Sequence, residues 1–386
     1  MACKRAQHER DHVKSPVTQR CKKKQRTILT FDHLPLECRL HIFSFLSSQD
    51  KCDASTTCKL WAEILRTPCL WQNANFVPLL CCESRYHIYK QQTLERPSAV
   101  RTISFNSCST LCKNLKTRVE RYVNFLSKGN AQLKLLSFEF DLIEESEQWL
   151  CQILQLLTGA NCTGMEKVFG RWAFTPHCQG RSVSPSLDNK YSRVLSFHKL
   201  LQKLFEVSPC IQHFRIQFDW SMNSVELLCK FQNIHTLELS KYWVFVTIPQ
   251  SSIDALLEGL PNLKRLCIEM VTPFQRGTSH LLYTLRSSTL EELDIQRSSG
   301  FFLLSVNLPN LRSFVNHREY WAGPVLSWHH LNIPCLHTVL RDGAKNLQFY
   351  NGYPLNKHWR EHTTILLEAE LKSSCYCPRH KKGDLF

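Results

Sequence analysis

Glycine is scarce in this chain, with 12 in 386 residues. None of them builds a G-x-x-x-x-G-K phosphate loop, a G-x-G-x-x-G dinucleotide turn or a G-x-S-x-G nucleophile elbow, which leaves nucleotide and serine-hydrolase chemistry without support. Long apolar runs are missing too. The densest, Phe301 to Val306, is far short of the roughly 20 residues that span a bilayer, and no apolar segment follows Met1. A soluble, unsecreted protein of the cytoplasm and/or nucleus is expected, with no membrane partner. Acidic residues are in deficit, 33 against 48 Lys and Arg, for a net charge of +15. Much of that excess is local: residues 1–26 carry nine Lys and Arg against Glu9 and Asp11, a net +7 that leaves +8 for everything else. So thin a charge does not commit the rest to acidic or phosphorylated partners, and nucleic acid, which would be held through the basic stretch 1–27, is not the expected partner. Cysteine, by contrast, is abundant at 19. The number is odd and the chain is long, so the cysteines read as reduced thiols, mostly small core residues, rather than as a disulfide framework.

With 43% hydrophobic and 21% charged residues, most of the chain should fold, as several domains or as one small module joined to a repeat array. Residues 1–27 are polar and basic, have little to bury, and are expected to form a disordered tail. Between 28 and 76 a compact helical pattern follows. Leu34 and Pro35 open it, and Leu36, Leu40, Phe43 and Leu46 recur at helical spacing with Ile42 widening the apolar face. Ser47 and Asp50 resemble a cap for a second helix carrying Ala54, Cys58, Trp61 and Leu65, which Pro68 stops. Leu70, Trp71 and Phe76 close the block.

After a linker at 77–96, residues 97–372 repeat an L-x-x-L-x-L strand signature. The copies are Val100/Ile103/Phe105, Leu133/Leu136/Phe138, Ile211/Phe214/Ile216, Ile234/Leu237/Leu239, Leu263/Leu266/Ile268 and Leu290/Leu293/Ile295, with weaker ones at Leu311 and Leu336. From Ile211 their starts are 23, 29, 27, 21 and 25 residues apart, the spacing of leucine-rich repeats. Helical patterns alternate with them at Asn114 to Leu126, Ser146 to Leu157, Ser192 to Val207, Ser251 to Leu260 and Thr278 to Leu285. The interval from Phe138 to Ile211 fits poorly and reads as an irregular insertion. The asparagine expected four residues after the last leucine of a repeat is not regular. The predicted fold class is therefore α+β and multi-domain: a small all-α module, then an α/β leucine-rich-repeat-like solenoid with a parallel sheet, and a Cys-containing basic tail at 373–386.

The block from Phe31 to Phe76 resembles the F-box family. The residues that carry the likeness are Leu34, Pro35 and Glu37 at its start, Ile42 and Leu46 in the first helix, Cys58 and Trp61 at the second, and Leu70 with Trp71 at its end. Between Lys51 and Thr57 the chain departs from the family, with Cys52, Asp53, Ser55, Thr56 and Thr57 where leucine and valine are usual. The resemblance implies a surface for the S-phase kinase-associated adaptor protein, which joins a cullin and a RING subunit, made by Leu34, Pro35, Leu36, Ile42, Phe43, Leu46, Cys58, Trp61, Leu65, Leu70 and Trp71. It implies a non-catalytic, substrate-recognition subunit of a ubiquitin ligase, with an unknown protein substrate on the repeats; the alternative is an F-box and repeat scaffold acting outside a ligase.

Two other patterns carry chemistry. His358, Glu361 and His362 spell the inverted zinc-protease motif H-x-x-E-H, but in a stretch where Gly352 and Pro354 indicate a loop. Cys375, Cys377 and His380 are three candidate metal ligands, one short of a recognised four-ligand site. Cys108 with Cys112, and adjacent Cys81 and Cys82, lack C-x-x-C spacing. The expectation from sequence is no metal, no cofactor and no catalytic residue.

Overall fold

The computed structural model describes residues 30–75, 87–89, 100–106, 115–140, 146–172, 187–243, 248–271, 282–296, 298, 301–316 and 332–381. The basic stretch 1–27, most of 77–96, and Cys81, Cys82, Cys108 and Cys112 lie outside the described residues.

The helical block comprises α1 (Leu36–Ser44), α2 (Ser48–Ser55) and α3 (Lys59–Leu65), with 3-10 turns at Phe31–His33 and Pro68–Trp71. Glu37 lies in the first turn of α1, while Pro35 caps that helix from outside rather than occupying its first turn. The single second helix expected from Asp50 to Leu65 is in fact two. Ser55 and Thr56 turn their hydroxyls back onto the carbonyls of Cys52 and Asp53, each at 2.7 Å, and Thr57 does the same to Ala54. Such back-bonding competes with the helix ladder. Cys58 is then extended, and its sulfur accepts the Trp61 backbone N–H to start α3.

Beyond the block runs an 11-stranded sheet whose strand order follows the chain: β1 (Asn73–Asn75), β2 (Thr102–Asn106), β3 (Leu135–Phe140), β4 (Lys167–Trp172), β5 (His213–Gln217), β6 (Thr236–Trp243), β7 (Arg265–Val271), β9 (Glu292–Asp294), β11 (Ser313–Val315), β12 (Phe349–Tyr350) and β13 (Tyr353–Pro354). All pairings are parallel until the last. Side chains alternate across a strand, and the middle residue of each copy faces the core in one continuous row. Ile103 pairs with Leu136, then Val168, Phe214, Leu237, Leu266, Leu293, Phe314 and Tyr350 follow in register, all buried. Helices Leu115–Lys128 (α4), Ser146–Gly159 (α5), Leu187–Val207 (α6), Met222–Cys229 (α7) and Gln250–Gly259 (α8) pack each on the next.

Three expectations are corrected here. The interval from Phe138 to Ile211 is not merely an insertion, because it holds β4 and a full copy, Met165/Val168/Gly170, with all three residues buried. Its third core position is a glycine because the Phe138 ring fills the place of a side chain: a Cβ on Gly170 would lie 2.3 Å from Phe138 Cζ. Gly170→Ala should therefore overpack the core and cost about 1–3 kcal/mol. In a urea-melt double-mutant cycle with Phe138→Leu, the paired change should recover most of that loss, and a purely additive cycle would contradict the account. Second, Thr278 to Leu285, expected as a helix, ends in strand β8 (Leu282–Arg286), which pairs in parallel with β10 (Phe302–Asn307) outside the main sheet. Tyr283 and Leu285 alternate with less buried neighbours, a period of two rather than 3.6. Third, Leu336 opens helix α9 (Leu336–Gly343), and the strand signature sits later, at Leu347 and Tyr350.

The stretch read as a Cys-containing basic tail at 373–386 is packed as far as residue 381, where the described residues end. Helices α10 (Ile365–Ser374) and α11 (Pro378–Lys381) bury Leu371, Ser374, Cys375, Cys377 and His380. Among the described residues, no helix is long and apolar enough to cross a membrane.

Candidate functional site

In the helical block, Phe31, Phe43 and Trp61 meet edge-on with ring centroids 5.2–5.3 Å apart. Phe43 is only 2% exposed, and Leu65, Leu70 and Trp71 are buried with it. Trp71 donates its indole N–H to the Leu65 carbonyl, and its ring packs 5.3 Å from Tyr89. Tyr89 in turn packs 5.4 Å from Tyr122 of α4, hydroxyl to hydroxyl, so the block is joined to the sheet through a line of aromatic rings. Lys51 is also buried, its ammonium donating to the Leu70 carbonyl at 3.0 Å; burial lowers its pKa.

Helix α1 is apolar on two sides. Its inner side carries Leu40 and Phe43. Its outer side carries Cys38, His41, Ile42 and Phe45, which recur at helical spacing and are all exposed. Phe45 is 74% exposed, with the His41 ring against it at 4.8 Å, and Ile42 is 43% exposed. Among the described residues, only the inner of these two apolar sides is covered. An exposed aromatic and a β-branched residue side by side have the composition of a binding hot spot.

Of the residues predicted to contact an adaptor, Pro35, Leu36, Ile42 and Cys58 are exposed, Leu34, Leu46 and Trp61 are half-buried, and Phe43, Leu65, Leu70 and Trp71 are buried. The last four hold the module together from within. The exposed Cys38 and Phe45, which are outside that set, share the helical face of Ile42.

Residues 31–77 match the F-box-like family. The F-box-like domain thus coincides with the helical block, and its exposed α1 face lies inside the match. No curated protein matches the chain.

The open face of the sheet is the second candidate surface. On it His213 and Arg215 meet Glu238 at 3.2 and 3.4 Å and Arg265 meets Glu292 at 3.0 Å, while at the strand starts Lys134 pairs with Glu166 at 2.7 Å and Glu291 lies between Lys264 and Arg312 at 3.4 and 3.7 Å. The Glu238 carboxyl is held below the usual range, first by the His213 hydrogen bond and then by the nearby cations. Alternating, self-neutralising charge favours a partner that is itself mixed in charge over a polyanion.

The H-x-x-E-H residues lie on an exposed turn, where His358 and Glu361 pair at 3.5 Å and the His362 N–H donates to the His358 carbonyl at 3.0 Å; among the described residues they join no cluster of candidate metal ligands. The cysteines divide more evenly than expected. Cys162, Cys229 and Cys267 are at least partly buried, and desolvation pushes their thiols up to about 12, 11 and 12, which makes them inert. Cys38, Cys58, Cys69, Cys151 and Cys210, by contrast, are exposed. Cys375, Cys377 and His380 are brought together, and Cys335 joins them.

Proposed function

We propose that the chain is a non-catalytic substrate-recognition subunit of a cullin-based ubiquitin ligase. The F-box-like domain would dock on the S-phase kinase-associated adaptor through the outer face of α1, and the sheet domain would hold a protein substrate. The observation that carries this reading is the exposed Ile42–Phe45 face within a segment that matches an F-box. The remainder is read as a leucine-rich-repeat-like solenoid. That reading is supported by a core row in register from Ile103 to Tyr350, by strand order that follows the chain and by helices stacked in the same sequence. Solenoids offer extended faces to protein ligands. A receptor of this kind supplies no nucleophile; it holds a substrate lysine near the ubiquitin thioester and so acts through effective concentration. It works with adaptor, cullin and RING subunits, in cytoplasm and/or nucleus.

Capture of adaptor and cullin by the full chain tests this. Ile42→Ala with Phe45→Ala should weaken adaptor binding by about 30-fold or more, as loss of a hot spot worth at least about 2 kcal/mol requires, while the melting temperature stays within the range of ordinary surface changes. Capture of the adaptor without the cullin favours a scaffold outside the ligase. If the unaltered chain captures neither, the reading is wrong.

A further inference from the structure

Four metal-ligating side chains from three parts of the C-terminal region converge at one point. Cys335 caps the start of α9, Cys375 ends α10, and Cys377 and His380 belong to the turn and short helix that follow. Their sulfur and imidazole nitrogen atoms all lie within 4.8 Å of one another. His380 Nδ1 is 3.2 Å from Cys377 Sγ and 4.0 Å from Cys335 Sγ. A tetrahedral zinc ion with bonds of about 2.3 Å to sulfur and about 2.0 Å to nitrogen requires S···N edges of about 3.5 Å and S···S edges of about 3.8 Å. The observed S···N edges fall on either side of the first value. All three partners of Cys335 in this group are buried.

The surroundings are those of a metal centre rather than of cysteines packed as small hydrophobes. A ligating histidine normally gives its second ring nitrogen to a carboxylate; His380 Nε2 is buried without a hydrogen bond and faces Glu368 Oε1 at 3.4 Å, an oxygen that accepts from Arg379 at 3.3 Å. The backbone N–H groups of Leu336 and Cys377 point at Cys375 Sγ at 3.4 and 3.5 Å, bonds that steady a thiolate. The sequence pattern C-x-C-x-x-H supplied three ligands, and the fold brings the fourth from 40 residues upstream.

We propose that Cys335, Cys375, Cys377 and His380 bind one structural zinc ion, with His380 coordinating through Nδ1 and Glu368 orienting it through Nε2. Four protein ligands leave no open position, so the ion is structural and not catalytic. Three thiolates with one imidazole favour zinc over the harder cations, and the thiol protons leave to solvent on binding. The ion ties α10 and α11 to the start of α9. It thereby closes the end of the sheet domain, where Asn316 already donates to the Ser374 carbonyl at 3.3 Å and Tyr376 packs against Phe302 at 5.1 Å.

Elemental analysis of the full chain purified in reductant, with no added metal, should find one zinc per chain. Cys377→Ser and His380→Ala should each lose it, exposed Cys69→Ser should keep it, and Glu368→Gln should weaken it by about 10–100-fold. Because the ligand variants could misfold, the unaltered chain gives an independent readout. After zinc is removed by a chelator in reductant, Co2+ should restore a tetrahedral visible spectrum with thiolate charge transfer, and X-ray absorption of the zinc form should fit three sulfurs and one nitrogen. Absence of stoichiometric metal and of a tetrahedral cobalt spectrum in the reduced chain overturns the proposal. So does zinc retained in both ligand variants, or a disulfide among these cysteines in the reduced protein.

Discussion

Trp71→Ala is expected to destabilise the F-box-like domain by about 3–5 kcal/mol, the range for removing a buried large aromatic. Two effects add. The cavity forms at a point where Trp71 packs on Tyr89 and, through it, on Tyr122 of the sheet domain, so the walls belong to different elements and cannot easily close. The Leu65 carbonyl also loses the indole donor that satisfies it, and an orphaned buried acceptor costs about 1–3 kcal/mol by itself. Trp71→Phe separates the two: the ring stays, the donor goes, and a loss near the lower figure is expected. Hydrogen exchange of Lys59–Leu65 together with urea melts would read both. If Trp71→Ala cost no more than a surface substitution, the aromatic line from Trp71 to Tyr122 would not be what joins the domain to the sheet.

That result would bear on function as well as stability. The exposed side chains Ile42 and Phe45 sit on and just beyond α1, whose opposite side packs its own Phe43 against Trp61. A receptor that positions a substrate relative to a distant thioester works only if its docking module and its substrate surface keep a fixed relation. If the proposed docking through α1 holds, truncating the buried residues Phe43, Leu65, Leu70 and Trp71 should weaken adaptor capture in step with lost stability, unlike Ile42 or Phe45.

The sequence made the helical block and the strand row legible for one physical reason: both have an apolar period that matches their backbone geometry. Leu36, Leu40 and Phe43 follow the helix, and Ile211, Phe214 and Ile216 follow the strand. It failed wherever another residue supplied the missing volume or bond. Gly170 looks like no strand residue until Phe138 is seen filling its place. Asparagines outside the strand signature also escaped it. Asn262, Asn310 and Asn346 each precede the first leucine of a copy and donate to the previous turn at Gln232, Ser288 and Pro309, at 2.9, 2.6 and 2.8 Å. Ser55, Thr56 and Thr57 broke a helix that apolar spacing alone would continue. Cys335 was invisible as a ligand because nothing local marks it; only the fold carries it to Cys375.

Phe214→Ala tests the core row directly. Phe214 is fully buried, lies in register between Val168 and Leu237, and packs edge-on against Phe231 at 4.9 Å. Truncation should cost about 3–5 kcal/mol. Arg215, the next residue on the same strand, faces solvent and pairs with Glu238 at 3.4 Å; its removal should cost at most about 1 kcal/mol. If the strands form one continuous sheet, with stability passed between neighbours, the damage from Phe214→Ala should spread: hydrogen exchange should quicken in β4 and β6 as well as β5, and fade with distance along the sheet. Exchange changes confined to β5 would mean that the copies stand independently, and a loss equal to that of Arg215→Ala would remove Phe214 from the core row.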